Sequence, residues 1–258
     1  MSAWRLIAVD IGNSATKVGW FDGVATSGGS LPLPVGTSKF KTGETPPADF
    51  ANRLPVEASE WQIVSVHREG ARILTNWIEA NRPGDTVRML AWRDLPIEMR
   101  VEFPERVGLD RLAAVVATNV LRSAGRPAIV IGAGSAITVN LIGADAAFEG
   151  GAILPGFKMS AEALFGADLL PLALLAPNET PPPIVGKNTD DAIRSGLFWG
   201  AVGAVREVVT RISTPLAKPP QIFVTGGDLR QFTQYLGSDA RFVPDLVLSG
   251  IAVSALRG

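Results

Sequence analysis

The sequence predicts an α/β protein built from two related domains, and three observations carry that reading. An apolar strand at Arg5-Leu6-Ile7-Ala8-Val9 runs into a small-residue turn and then a second strand. The same plan recurs over residues 126–145, and helix-like and strand-like segments mix between and after the two copies.

In the first copy the turn reads Asp10-Ile11-Gly12-Asn13-Ser14-Ala15-Thr16-Lys17. A carboxylate at a strand end can hold a hydrated Mg²⁺, and a glycine lets the backbone approach a phosphate closely. Asn13, Ser14 and Thr16 add hydrogen-bond donors and Lys17 adds charge. Lys17 to Phe21 is strand-like and ends at Asp22-Gly23, a hairpin signal, so the turn joins two strands. P-loop and dinucleotide fingerprints need a helix at that place. Nucleotide chemistry is therefore the first expectation.

The second copy, Arg126 to Asn140, again has an apolar strand, a Gly-Ser turn and a strand, and ends in Gly143-Ala144-Asp145. Laid together, the turns put Gly132 against Asp10, Gly134 against Gly12, Ser135 against Asn13 and Thr138 against Thr16. Gly132-Ala133-Gly134 does not open a dinucleotide site, because Ile137 stands where the third glycine belongs and Ile137-Thr138-Val139 favours a strand.

Between the turns, Thr75 to Asn81 and Leu109 to Arg122 read as helices, the second stopped by Gly125 and Pro127. Ile63 to Val66, Val87 to Leu90 and Ile222 to Val224 read as further strands. One domain is expected over residues 1–115 and the other over 116–258. Pro177 to Pro183 reads as a stiff surface connector.

With 258 residues, 47% hydrophobic and 19% charged, the chain can bury one large or two modest cores. A formal net charge of -1 gives no general pull toward nucleic acid or anionic membrane. The absence of cysteine removes disulfides, thiolate metal sites and thiol nucleophiles, and fits the cytoplasm. Met1 to Arg5 leads into a strand with no basic, apolar leader pattern, and Leu169 to Ala176 is too short to span a bilayer. His67 is the single histidine, so a His-based metal site is not expected and it is given no role. Most of the six tryptophans read as packing residues, and Glu149 reads as a turn carboxylate.

Further segments complete a series: Gly108-Leu109-Asp110-Arg111 opening a helix, Gly150 to Gly156 (GGAILPG), Gly186-Lys187-Asn188-Thr189, and Thr225-Gly226-Gly227 after a strand. With the first loop and Ala133-Gly134-Ser135-Ala136 they resemble the type III pantothenate kinases, in family order through nearly the whole chain. The resemblance implies two duplicated ribonuclease H-like (actin-like ATPase) domains with a nucleotide cleft between them, usually in a homodimer. It implies ATP-dependent phosphorylation of pantothenate to 4'-phosphopantothenate, the first step of coenzyme A synthesis. By the same comparison Asp10, Ile11, Gly12, Asn13, Ser14, Ala15, Thr16 and Lys17 bind ATP phosphate, with Asp10 on Mg²⁺, and Ser135 is a further ATP contact. Asp110 is the proton acceptor, and Gly108, Leu109, Asp110, Arg111 and Thr189 contact pantothenate.

Elementary chemistry supports those roles separately. A helix start favours Asp110 as an anion able to accept a hydrogen bond from an alcohol, and Arg111 offers a planar fork to a carboxylate. Taken alone, the pair reads more simply as a helix cap and a surface ion pair.

The chain also departs from the family pattern. Gly132 stands where an aspartate usually binds a monovalent cation, potassium or ammonium, and Asn140 replaces a second frequent aspartate. Val101 falls where many members place a pantothenate-contacting tyrosine. Three readings stay open: a kinase working without the cation, one holding it by backbone and water, or a weakened relative. The alternative function is a non-catalytic binding or regulatory protein on the same scaffold. A kinase for another small alcohol is a third.

Overall fold

The computed structural model describes residues 5–22, 30–166 and 180–256. The chain divides into two compact units, Met1–Leu121 with Asp245–Gly258, and Arg122–Pro244.

In the first unit β1 (Arg5–Ile11) is central in a five-stranded sheet. It pairs antiparallel with β2 (Ala15–Asp22) and parallel with β4 (Glu60–Ser65). Outside these lie β3 (Gly36–Lys41), antiparallel to β2, and β5 (Thr86–Met89), parallel to β4, giving the order β3-β2-β1-β4-β5. The β1–β2 hairpin is as expected, while Gly23 and the Pro177 to Glu179 part of the proline-rich connector lie outside the described residues.

Side chains alternate across a strand, so β1 sends Ile7, Val9 and Ile11 to one face. There they join Val18, Trp61 and Ile63 under Phe50 and Leu54 and under Leu74 and Ile78. Phe50 belongs to the short α1 (Phe50–Arg53), and Leu74 and Ile78 to α2 (Arg68–Asn81). Sequence placed the start of α2 only at Thr75, because Gly70 weakens helix propensity in the first turn. A methyl group on Gly70 would come within 2.8 Å of Thr42 Cγ2 and 3.1 Å of Ile11 Cγ2, so the glycine is there for close packing.

The opposite face of β1 carries Leu6, Ala8 and Asp10. On this side of the sheet lie α3 (Leu109–Leu121), which touches β4, and, returning from beyond the second unit, α6 (Leu246–Ala255). The helix α6 packs on α3, β1, β2 and β4. Leu246, Leu248, Ile251, Ala252 and Val253 are all buried, as a helix apolar on all sides requires. Two glycines permit the fit: a side chain on Gly250 would overlap the Ala113 carbonyl, and one on Gly19 would meet Leu248. A boundary after residue 115 therefore falls inside α3, and residues 245–256 pack with the first unit. The cause is tertiary: α6 needs two apolar partners, and α3 and the sheet supply them.

The second unit repeats the plan. β6 (Ala128–Ala133) pairs antiparallel with β7 (Ala136–Ile142) and parallel with β9 (Gln221–Thr225). β8 (Phe148–Pro155) and β10 (Arg241–Phe242) complete the order β10-β9-β6-β7-β8. Strand for strand, with the same parallel and antiparallel senses, this matches the first sheet. Its core gathers Ile129, Ile131, Ile137, Val139 and Val224 against Phe198, Val202, Val205 and Phe232. Phe198, Val202 and Val205 lie on α5 (Thr189–Ser213), Phe232 in a 3₁₀ segment at Gly227–Tyr235. α4 (Phe157–Phe165) packs on α5 through Phe157 and Ala161, which meet Ile193 and Leu197.

Candidate active site

In the first unit the ladder β1–β2 puts Asp10 directly opposite Lys17, so both side chains leave the sheet on the α3 side. Asp110 sits in the first turn of α3 and is close enough to Asp10 to act on it electrostatically. Asp10 is 7% exposed. Burial, opposed by Lys17 and reinforced by the Asp110 carboxylate, raises its pKa from the ordinary 3.8 to about 6. The two carboxylates offer oxygen ligands to a cation, and the ammonium beside them offers positive charge to an anion. Among the described residues no group of three or more His, Cys, Asp or Glu side chains makes a ready metal cage. Mg²⁺ carried by a nucleotide does not need one, since phosphate and water supply most of its ligands.

The loop before α3 shapes the second carboxylate. A methyl group on Gly108 would lie 2.5 Å from Asp110 Oδ1, so the glycine leaves the space in which that carboxylate rests. The N–H groups of Arg111 and Leu112 both donate to the Gly108 carbonyl, at 3.1 and 3.2 Å, closing the first turn. Burial lowers the pKa of Arg111 and the adjacent Asp110 opposes that shift.

The turn itself divides its labour differently from the sequence expectation. Asn13 and Ser14 are exposed, whereas Ile11 is a core residue whose carbonyl accepts the Val66 N–H at 3.0 Å. The Gly12 N–H is spent inside the turn on the Ala15 carbonyl, at 3.1 Å. Thr16 was expected among the phosphate contacts, but its side chain faces the core, 2% exposed, with its hydroxyl 3.1 Å from that of Thr42. Alternation along β2 explains this: Thr16 and Lys17 must point to opposite faces. Nothing in the local sequence marks Thr42, and none of the motifs includes His67. His67 is the N-cap of α2, its Nδ1 accepting the Gly70 N–H at 2.9 Å.

In the second unit two glycine motifs, Gly150–Gly156 and Thr225–Gly227, close on the hairpin around the turn Gly134–Ala136. The Gly156 N–H donates to the Ser135 carbonyl at 3.2 Å, and a methyl group on Gly156 would lie 2.5 Å from that oxygen. Gly226, with φ +102°, packs so that a side chain would overlap the Ala133 carbonyl. Gly151 lies on Val139 in the same way. This turn is one residue shorter than its twin. Its last rung pairs Ala133 with Ile137 where the first hairpin pairs Ile11 with Thr16. Thr138 thus occupies the rung of Lys17, not of Thr16, and it pairs with Gly132 as Lys17 pairs with Asp10. Asn140, 1% exposed, donates from Nδ2 to Thr138 Oγ1 at 3.3 Å. Thr189 is the first residue of α5 and is exposed. The residue before it, Asn188, caps that helix by accepting the Asp191 N–H at 2.8 Å.

A duplicated sheet of order 3-2-1-4-5 with an acidic turn on its first hairpin defines the class: an α/β protein of the sugar kinase and actin-like ATPase fold. Solved structures agree on the fold. A candidate Baf family transcriptional activator from Campylobacter jejuni matches with a TM-score of 0.58 at 18% identity, covering 97% of this chain and 98% of that one. A candidate 2-dehydro-3-deoxygalactonokinase from Sinorhizobium meliloti matches with a TM-score of 0.54 at 12% identity, covering 98% of each chain. The family model for type III pantothenate kinase matches residues 6–211. A type III pantothenate kinase of Rubrobacter xylanophilus is 34% identical over 96% of both chains. The chain belongs to the type III pantothenate kinase family.

Proposed function

We propose that this protein transfers the terminal phosphoryl group of ATP to the primary hydroxyl of pantothenate, giving 4'-phosphopantothenate and ADP for coenzyme A synthesis. The observation that carries the reading is the meeting of Asp10, Lys17 and Asp110 on one face of the first unit. Mg²⁺ bound there would screen the phosphate charge. Asp10 would hold that ion, Lys17 would attract phosphate oxygens, and Asn13 and Ser14 would offer donors from the exposed part of the turn. Asp110 would accept the proton of the attacking hydroxyl. Phosphoryl transfer has a loose transition state, so alignment and charge matter more than basicity, and a carboxylate suffices. Arg111 would pair with the pantothenate carboxylate. Ser135 and Thr189, each within the second unit, are assigned to ATP and to pantothenate by family resemblance.

The second turn is neutral, with Gly132 and Thr138 on the rung that holds charge in its twin. A monovalent cation there would be held by carbonyl and hydroxyl oxygens alone, so we assign the protein weak potassium dependence. Family resemblance also supports a homodimer. Among the described residues no helix is long and apolar enough to cross a membrane, which fits a cytoplasmic site of action. The deciding assay is ATP-dependent formation of 4'-phosphopantothenate by wild type and by Asp110→Asn over a range of potassium and ammonium. Equal rates in the two proteins would defeat the proposal.

A further inference from the structure

We propose that Thr42, through its hydroxyl pair with Thr16, is a positioning residue that aims the turn Gly12–Ala15 at the nucleotide. This rests on the kinase reading above. Thr42 directly follows β3 and touches the turn twice. Its N–H donates to the Ser14 carbonyl at 3.3 Å, and its hydroxyl lies 3.1 Å from the Thr16 hydroxyl. A planar trans peptide points its C=O and its N–H in opposite directions. Holding the Ser14 carbonyl toward Thr42 therefore turns the Ala15 N–H away from Thr42, in a turn whose Asn13 and Ser14 are exposed. A phosphate oxygen reaching this turn would meet an N–H already fixed in direction. Gly70 then closes the space behind Thr42, within 2.8 Å of its Cγ2 when given a methyl group.

The hydroxyl pair is an unusual choice for stability alone. Thr16 is 2% exposed and Thr42 9%, and valine would fill the same shape without desolvating a hydroxyl. Removing both hydroxyls together is nearly neutral for folding, whereas removing one strands the other. What the pair adds is direction, since a hydrogen bond fixes the angle between the β2 start and the β3 end where two methyl groups would slide.

The test is a double-mutant cycle with Thr16→Val, Thr42→Val and the double variant, together with Thr42→Ser. We expect Thr42→Val to raise the KM for ATP about tenfold, the worth of one buried hydrogen bond, with the KM for pantothenate within about twofold of wild type. Thr42→Ser should restore the ATP value. The double variant should regain the melting temperature of wild type to within about 3 °C yet keep the ATP defect. Calorimetric titration with MgATP gives the same comparison without turnover. Wild-type ATP affinity in the valine variants, failure of serine to rescue, or a double variant whose ATP affinity recovers along with its melting temperature would each overturn the assignment. If wild type itself fails to phosphorylate pantothenate, the kinase reading falls, and the MgATP titrations still judge Thr42.

Discussion

Asp10 stands directly across the β1–β2 ladder from Lys17, and the corresponding rung of the second hairpin holds Gly132 and Thr138. Duplication has thus kept the two hairpins and divided the chemistry of their turns. The first carries opposite charges beside a further carboxylate. The second carries a hydroxyl and a glycine, in a hairpin on which Gly156 and Gly226 pack closely. One is equipped to bind metal-bound phosphate, and the other offers neutral groups and close backbone approach.

Asp10 works against folding in the nucleotide-free protein. Its pKa in the folded chain, about 6, lies above the ordinary 3.8, so the fold prefers the protonated form. The stability tied to that proton is fully present below pH 4 and is lost as pH rises through 6. The interval is worth about 3 kcal/mol at most, at about 1.4 kcal/mol per pH unit. Asp10→Asn should therefore raise the melting temperature of the nucleotide-free protein at pH 7.5, with little gain at pH 4, and should abolish phosphorylation. Scanning calorimetry at both pH values checks the first part, and an equal shift at the two would contradict it.

Asp110 owes its placement to Gly108. Asp110→Asn should lower kcat about a hundredfold or more, the usual range for a positioned proton acceptor, with a small change in KM for ATP. Gly108→Ala pushes a methyl group into the space of the Asp110 carboxylate and should lower kcat about ten- to a hundredfold while the protein stays folded. Steady-state kinetics with circular dichroism distinguish these outcomes from unfolding.

Gly132→Asp restores a carboxylate on the rung of Thr138. Its Cβ would sit 3.1 Å from Thr138 Oγ1, a distance that a rotation of the hydroxyl relieves. The variant should show stronger potassium stimulation than wild type in the phosphorylation assay. An unchanged potassium response would mean that this position does not govern cation binding.

His67 caps α2 with an imidazole nitrogen. His67→Ala should cost about 1 kcal/mol of stability in denaturant titration, and His67→Asn should recover most of it.

The hairpins, the duplication and the main strands were legible in sequence because apolar period and turn chemistry are local signals. The helix α5 was not, since Gly196, Gly200 and Gly203 lower its propensity over a stretch that tertiary packing nevertheless makes helical. The return of α6 to the first unit has no local signature at all. Within the site, the motif series located Asp10 and Asp110, but their proximity comes from α3 packing with α6 and β4 on the side of the sheet that Asp10 faces. Equal spacing puts the turn register one residue off, because the second turn is shorter by one residue. Thr42 was invisible because its partner Thr16 lies 26 residues away, and His67 because imidazole is a less familiar cap than serine or aspartate.

The path of α6 has a consequence for how the protein is made. The second unit is one continuous stretch, Arg122–Pro244, and can condense as soon as it leaves the ribosome. The amino-terminal sheet, although made before the second unit, keeps the apolar surface that α6 covers exposed until Leu246–Ala255 has emerged. Birth order and completion order are therefore reversed, and the nascent chain carries an open hydrophobic surface beside Asp10 while the whole of the second unit is made.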